Sequence, residues 1–146
     1  MELYNKDVIN GSLDHIDIGE YTEVTFYRCK DLEVLPDWSN ITKVECDECT
    51  ELTSLPDWPN VTSVILTDCT GLTSLPNWPN VTIVECNGCT GLTSLPDWPN
   101  VTIVKCNGCT GLTSLPEWPN VTSVECDECK LRTLPDWPKC LNCYFT

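Results

Sequence analysis

Two residue types able to do chemistry recur here at fixed spacing: cysteine and carboxylate. CxxC pairs stand at Cys46/Cys49, Cys86/Cys89, Cys106/Cys109, Cys126/Cys129 and Cys140/Cys143. Between residues 86 and 109 two such pairs are separated by sixteen residues, the spacing of a four-cysteine zinc site. Cysteines so placed could hold zinc or an iron-sulfur cluster, join as disulfides between neighbouring segments, or pack as small hydrophobes. A row of acids and one amide, Asp37, Asp57, Asn77, Asp97, Glu117 and Asp136, offers oxygen ligands for calcium. Neither an EF-hand nor a glycine-aspartate nonapeptide accompanies it, so a solvated row of like charges is expected. The single histidine, His15, lies fourteen residues from its nearest cysteine, Cys29. No serine nucleophile elbow, phosphate loop or HExxH sequence is present, and a non-enzyme is expected.

A 20-residue period explains the cysteine spacing. From Cys29 onwards the chain restarts as "CKDLEVLPDWSNITKVECDE", "CTELTSLPDWPNVTSVILTD", "CTGLTSLPNWPNVTIVECNG" and so on, ending in a shortened copy, "CKLRTLPDWPKCLNCYFT". Such a period has room for one short strand and a return path, not for a strand plus a helix. One coil cannot bury its own apolar side, so stacking must supply the core and turn every recurring position into a row. The zinc-like spacing then follows arithmetically from the repeat.

The columns VxxVxCxxCxxLxxLPxWPN resemble the leucine-rich repeat, whose pattern LxxLxLxx(N/C) is met by Val61, Val64, Leu66 and Cys69 and by Val121, Val124, Cys126 and Cys129. The resemblance covers about residues 21 to 146; the Leu75-Pro76 step is similar to the short bacterial class, from which the CxxL spacing of Cys69 to Leu72 departs. Copies this alike also resemble the cysteine- and tryptophan-rich repeats of large DNA viruses of amoebae. The resemblance implies a right-handed β-solenoid of leucine-rich-repeat type. It would have about six coils, a short parallel sheet on one face, a polyproline-like convex side and almost no helix. It also implies that the second cysteine column bonds to turn backbone.

In "NVTSVILTDC" Val64 and Leu66 should point inward, Ser63 and Ile65 outward. The first cysteine column reads Phe26, Cys46, Leu66, Cys86, Cys106, Cys126, where apolar residues replace cysteine, as a core site allows. Cys140 and Cys143 align with Val121 and Val124, again apolar columns. Structural packing is therefore the favoured reading and no cofactor is favoured. The alternative is zinc or iron-sulfur on Cys86, Cys89, Cys106, Cys109, Cys126 and Cys129. Trp38, Trp58, Trp78, Trp98, Trp118 and Trp137 form a stacking column, with an aromatic platform for sugars or bases as the lesser reading. Aligned Thr62, Thr82, Thr102 and Thr122 invite comparison with ice-binding rows, which their bulky or charged neighbours oppose.

Function-bearing variation is concentrated in the outward strand positions. Ile65, Ile83 and Ile103 should lie close together, rimmed by Glu85, Lys105 and Glu125; an apolar patch with a charged rim marks an interaction surface, the alternative being isolated β-formers on a strand. The net charge of -14 repels phosphate backbones and favours a basic protein partner over nucleic acid. Residues 1–20 break the period and are expected to cap the first coil through Leu13, Ile16 and Ile18; residues 21–146 form the solenoid. The last strand would be shielded by Tyr144 and Phe145 or pair with another chain, making a homo-oligomer through open coil ends. No membrane span and no secretory signal are apparent, so an intracellular, cytoplasmic location with free thiols is expected. Sequons at Asn10, Asn40, Asn60, Asn80, Asn100 and Asn120 are expected to be turn asparagines copied by the repeat rather than glycan acceptors.

Overall fold

The computed structural model describes residues 1–144. Eight parallel strands follow one another in chain order and pair only with their sequence neighbours, so seven turns of a β-solenoid connect first to last. They are β1 (Glu2–Tyr4), β2 (Glu23–Tyr27), β3 (Lys43–Asp47), β4 (Ser63–Thr67), β5 (Ile83–Asn87), β6 (Ile103–Lys105), β7 (Ser123–Glu125) and β8 (Asn142–Tyr144). A single 3-10 turn, Asn5–Asp7, is the one helical element among the described residues. None of their helices is long and apolar enough to cross a membrane.

Alternation decides which side of each strand is buried. Strands β3, β4 and β5 bury their second and fourth residues, so Val44, Cys46, Val64, Leu66, Val84 and Cys86 enter the core. Pairing is strictly in register, Val64 with Val84 and Leu66 with Cys86, as a constant 20-residue coil demands. Strands β6 and β7 are shorter, because side-chain amides take over where the backbone ladder stops. Asn87 Oδ1 accepts from the Asn107 backbone N–H at 3.1 Å, and Asn107 Oδ1 from that of Asp127 at 2.9 Å.

On the return path the tryptophans from Trp78 to Trp137 pack one on the next, and Trp38 stacks on Phe26. Rings of Trp78, Trp98, Trp118 and Trp137 stack at 6.2, 6.1 and 5.8 Å, tilted by no more than 12°. From Trp58 onwards each indole N–H donates to the proline carbonyl of the preceding coil, Trp98 to Pro76 at 3.0 Å and Trp118 to Pro96 at 2.9 Å. This satisfies the one polar atom of a buried indole. Proline contributes by fixing an extended return path; its carbonyl accepts the indole N–H and, at Pro36, Pro56, Pro96 and Pro116, also the backbone N–H of the tryptophan two residues on.

The N-terminal segment does more than cover the first coil. β1 pairs with β2, placing Leu3 beside Phe26, and the Gly11 carbonyl accepts from Glu33 N–H as Glu33 accepts from Thr53. Residues 1–20 thus follow the solenoid path as a further, aperiodic coil. Leu13 and Ile18 are buried and Ile16 half-buried against the same core.

The C-terminal coil departs from expectation. The register does pair Val124 with Cys143, yet Cys143 is exposed, and it forms a disulfide with Cys140 across a Cα separation of 6.3 Å. An apolar column is buried only between two coils, and of residues 131–144 only Trp137 is buried. Tyr144 is likewise exposed; Phe145 lies outside the described residues.

Candidate functional site

The alternation that drives Val84 and Cys86 inward turns Ile83 and Glu85 outward, and the same holds on β2 to β7. Ile83 pairs directly with Ile103 across β5 and β6. Ile65 faces Glu85 across β4 and β5 and so lies diagonal to Ile83, within reach of a long aliphatic side chain. All three isoleucines are half-buried by neighbouring side chains. Lys105 Nζ lies 3.7 Å from a Glu85 carboxylate oxygen and 4.0 Å from one of Glu125, so the rim is a row of alternating charge. The structure brings all six expected residues onto one patch.

Such half-exposed pairs contribute only about 0–1 kcal/mol to stability each, leaving them free to exchange partners. Outward positions within β2–β7 carry five acids, Glu23, Glu45, Asp47, Glu85 and Glu125, against Lys43 and Lys105. At the near end Lys43 is pushed above the usual lysine range by its 2.7 Å contact with Glu45.

The cysteine rows lie on the other side of the sheet. Ten thiols are free; nine are buried and Cys129 is half-buried. Apart from Cys140–Cys143, no disulfide joins the described cysteines. Members of the second column donate to backbone carbonyls, as the repeat resemblance implied: Cys109 to Cys86 at 2.7 Å, Cys129 to Cys106 at 2.9 Å and Cys69 to Cys46 at 3.6 Å. Among the described residues no group of three or more His, Cys, Asp or Glu side chains is disposed to hold a metal ion. In this arrangement Cys109 and Cys129 each donate to a carbonyl, a bond that a metal-bound thiolate could not make.

The tryptophans cannot form a platform, since Trp58, Trp78, Trp98 and Trp118 are fully buried. The sequon asparagines bind backbone: Nδ2 of Asn80 and Asn100 donates to Pro59 and Pro79 at 2.8 Å. Thr62, Thr82, Thr102 and Thr122 each donate the hydroxyl proton to the threonine carbonyl one coil earlier. Both rows line an open groove of about 950 Å3, closed at one end by Lys139, which donates to Asn120 Oδ1 at 2.6 Å. Their donors are spent on the fold.

No known protein-family model matches the chain, and no curated protein matches it significantly.

Proposed function

We propose that the chain is a non-catalytic binding module whose outward sheet face engages a protein partner carrying basic residues around an apolar contact. The observation that supports this is the adjoining Ile65, Ile83 and Ile103 beside the Glu85–Lys105–Glu125 row. Apolar side chains on a sheet's open face gain nothing from the core behind it, and a partner would complete their burial. The surplus of acids on that face, within a chain of net charge -14, would steer a basic partner and repel nucleic acid. The solenoid reads as one of the leucine-rich-repeat kind, working inside the cell where its buried thiols stay reduced.

The test is a paired capture experiment with wild-type protein and the double variant Ile83→Ser, Glu85→Lys, which removes apolar contact and reverses an acid of the rim. A partner should be retained by wild type and lost by the variant, with unchanged melting temperature and increasing loss as salt rises. Equal retention by a folded variant overturns this face as the binding surface.

A further inference from the structure

A second cluster lies at the N-terminal end of the same sheet, outside the repeat columns that define the isoleucine patch. Tyr4 on β1 and Tyr27 on β2 are register partners, and their rings stack at 5.5 Å with 27° between planes. A hollow opens on each side of this pair. One, of about 440 Å3, is walled by Glu2, Asp47, Arg28 and the two tyrosines. The other, of about 470 Å3, is walled by Tyr4, Asn5, Lys6, Tyr27 and Arg28, and contains no carboxylate. In a chain with 22 acids and 8 bases, this hollow presents two bases at its surface, while the carboxylates nearest to it, Asp7, Asp31 and Glu48, stand behind the lining on Tyr4, Asn5 and Arg28.

The groups in this hollow have specific capacities. Among the described residues Lys6 meets no carboxylate within ion-pairing distance; its Nζ lies 5.7 Å from the Tyr4 ring centroid. Arg28 gives one nitrogen to Glu48 at 3.1 Å and keeps its other guanidinium donors, with its side chain largely exposed. Asn5 is half engaged, since Nδ2 gives one of its two hydrogens to Asp31 at 2.7 Å and Oδ1 accepts from the Asp31 N–H at 2.8 Å. The hollow therefore supplies an aromatic wall and two cations, with only neutral acceptors, Asn5 Oδ1 and the tyrosine hydroxyls, beside them and no carboxylate in its lining to chelate a sugar's hydroxyls. Sugars favour such a chelating acceptor; an aromatic anion does not need one.

We propose that this hollow binds a small aromatic ring bearing an anionic group, with the ring against Tyr4 and Tyr27 and the anion between Lys6 and Arg28. The hollow on the opposite side, with Glu2 and Asp47, repels the same ligand and fixes its direction of approach. This site is separate from the isoleucine patch and stands or falls independently of it.

Phenyl phosphate, phenol, inorganic phosphate and glucose 6-phosphate are titrated into the full chain while backbone amide NMR shifts are followed. Phenyl phosphate should produce saturable shifts confined to Tyr4, Lys6, Tyr27 and Arg28, and bind about tenfold or more tightly than each other probe. Lys6→Met and Tyr4→Ala should each weaken it by about tenfold. Lys6→Met is the decisive variant, because among the described residues Lys6 holds no partner beyond the Tyr4 ring and its replacement leaves the sheet intact. Shifts without saturation, equal binding of glucose 6-phosphate, or unchanged affinity in a folded Lys6→Met protein overturns the proposal.

Discussion

At the scale of single residues, the fold tolerates variation towards solvent and almost none between coils. Gly91 is an example. A Cβ there would lie 2.5 Å from the Thr70 carbonyl oxygen and 2.6 Å from that of Leu72, and both are backbone atoms of the coil below that cannot swing aside. Gly91→Ala should cost about 2–4 kcal/mol, measured by urea unfolding, since relief requires prying two coils apart. Trp98 makes the complementary case. It is fully buried, stacks on a ring at each side and donates to Pro76. Trp98→Ala should cost about 3–5 kcal/mol; Trp98→Phe should fall between, keeping an aromatic in the stack but stranding the Pro76 carbonyl. Equal losses for the two variants would show that stacking is immaterial. These tryptophans and the paired outward isoleucines were legible in the sequence because an in-register period makes neighbours of identical positions. The row Arg28, Glu48, Asp68, Gly88, Gly108 and Glu128 was not: each has a positive φ, between 51° and 70°, ahead of the second cysteine column. Glycine at two of the six was the available signal, masked by charged residues at the other four.

At the scale of elements, coils are nearly interchangeable, and that has a direct consequence. Removing residues 81–100 joins Asn80 to Val101, the same Asn-Val step that the chain already uses at 100–101. Ser63 would then face Ile103, Leu66 would face Cys106, and Gly108 would take the place of Gly88 above Asp68. The shortened protein should fold cooperatively, with a melting temperature lower by about 5–10 °C for the lost stacking interfaces. Removing residues 81–98 instead breaks the period and should abolish the cooperative transition. The elements outside the period were the ones hidden from sequence reading. β1 is three residues of ordinary polarity, and its pairing of Leu3 with Phe26 comes from a coil of different length, so no column announces it. The site formed by Tyr4, Lys6, Tyr27 and Arg28 was invisible for the same reason, since half of it lies in that aperiodic coil. Cys140 and Cys143 misled in the opposite direction: their alignment with buried valines was correct, but alignment buries a side chain only where a further coil covers it.

At the scale of the whole molecule, the buried thiols make stability depend on alkaline pH. Hydrogen bonds to neighbouring sulfurs, and after them burial, push the Cys46, Cys86 and Cys106 thiols well above the ordinary value of 9.0. A thiol whose folded pKa is raised contributes stability that is fully present below the unfolded value. That contribution is lost as pH climbs, because the unfolded chain sheds its proton while the folded chain cannot. The window therefore opens near 9.0 and extends upward; hydrogen bonds from the same sulfur pairs push Cys49, Cys126 and Cys129 down, and these partners offset part of the loss. The Lys43–Glu45 pair acts in the same direction but is exposed and adds little. Urea midpoints should be flat from about pH 7 to about pH 8.5 and fall steeply by about pH 10.5, with a chromogenic disulfide reagent finding no more than the half-buried Cys129 in native protein below that window. Iron or zinc bound at these cysteines would reverse the order, because bound thiolates are already deprotonated and alkali would leave the midpoint unmoved. A flat midpoint through about pH 10.5 would thus count against protonated, close-packed thiols as the centre of this solenoid.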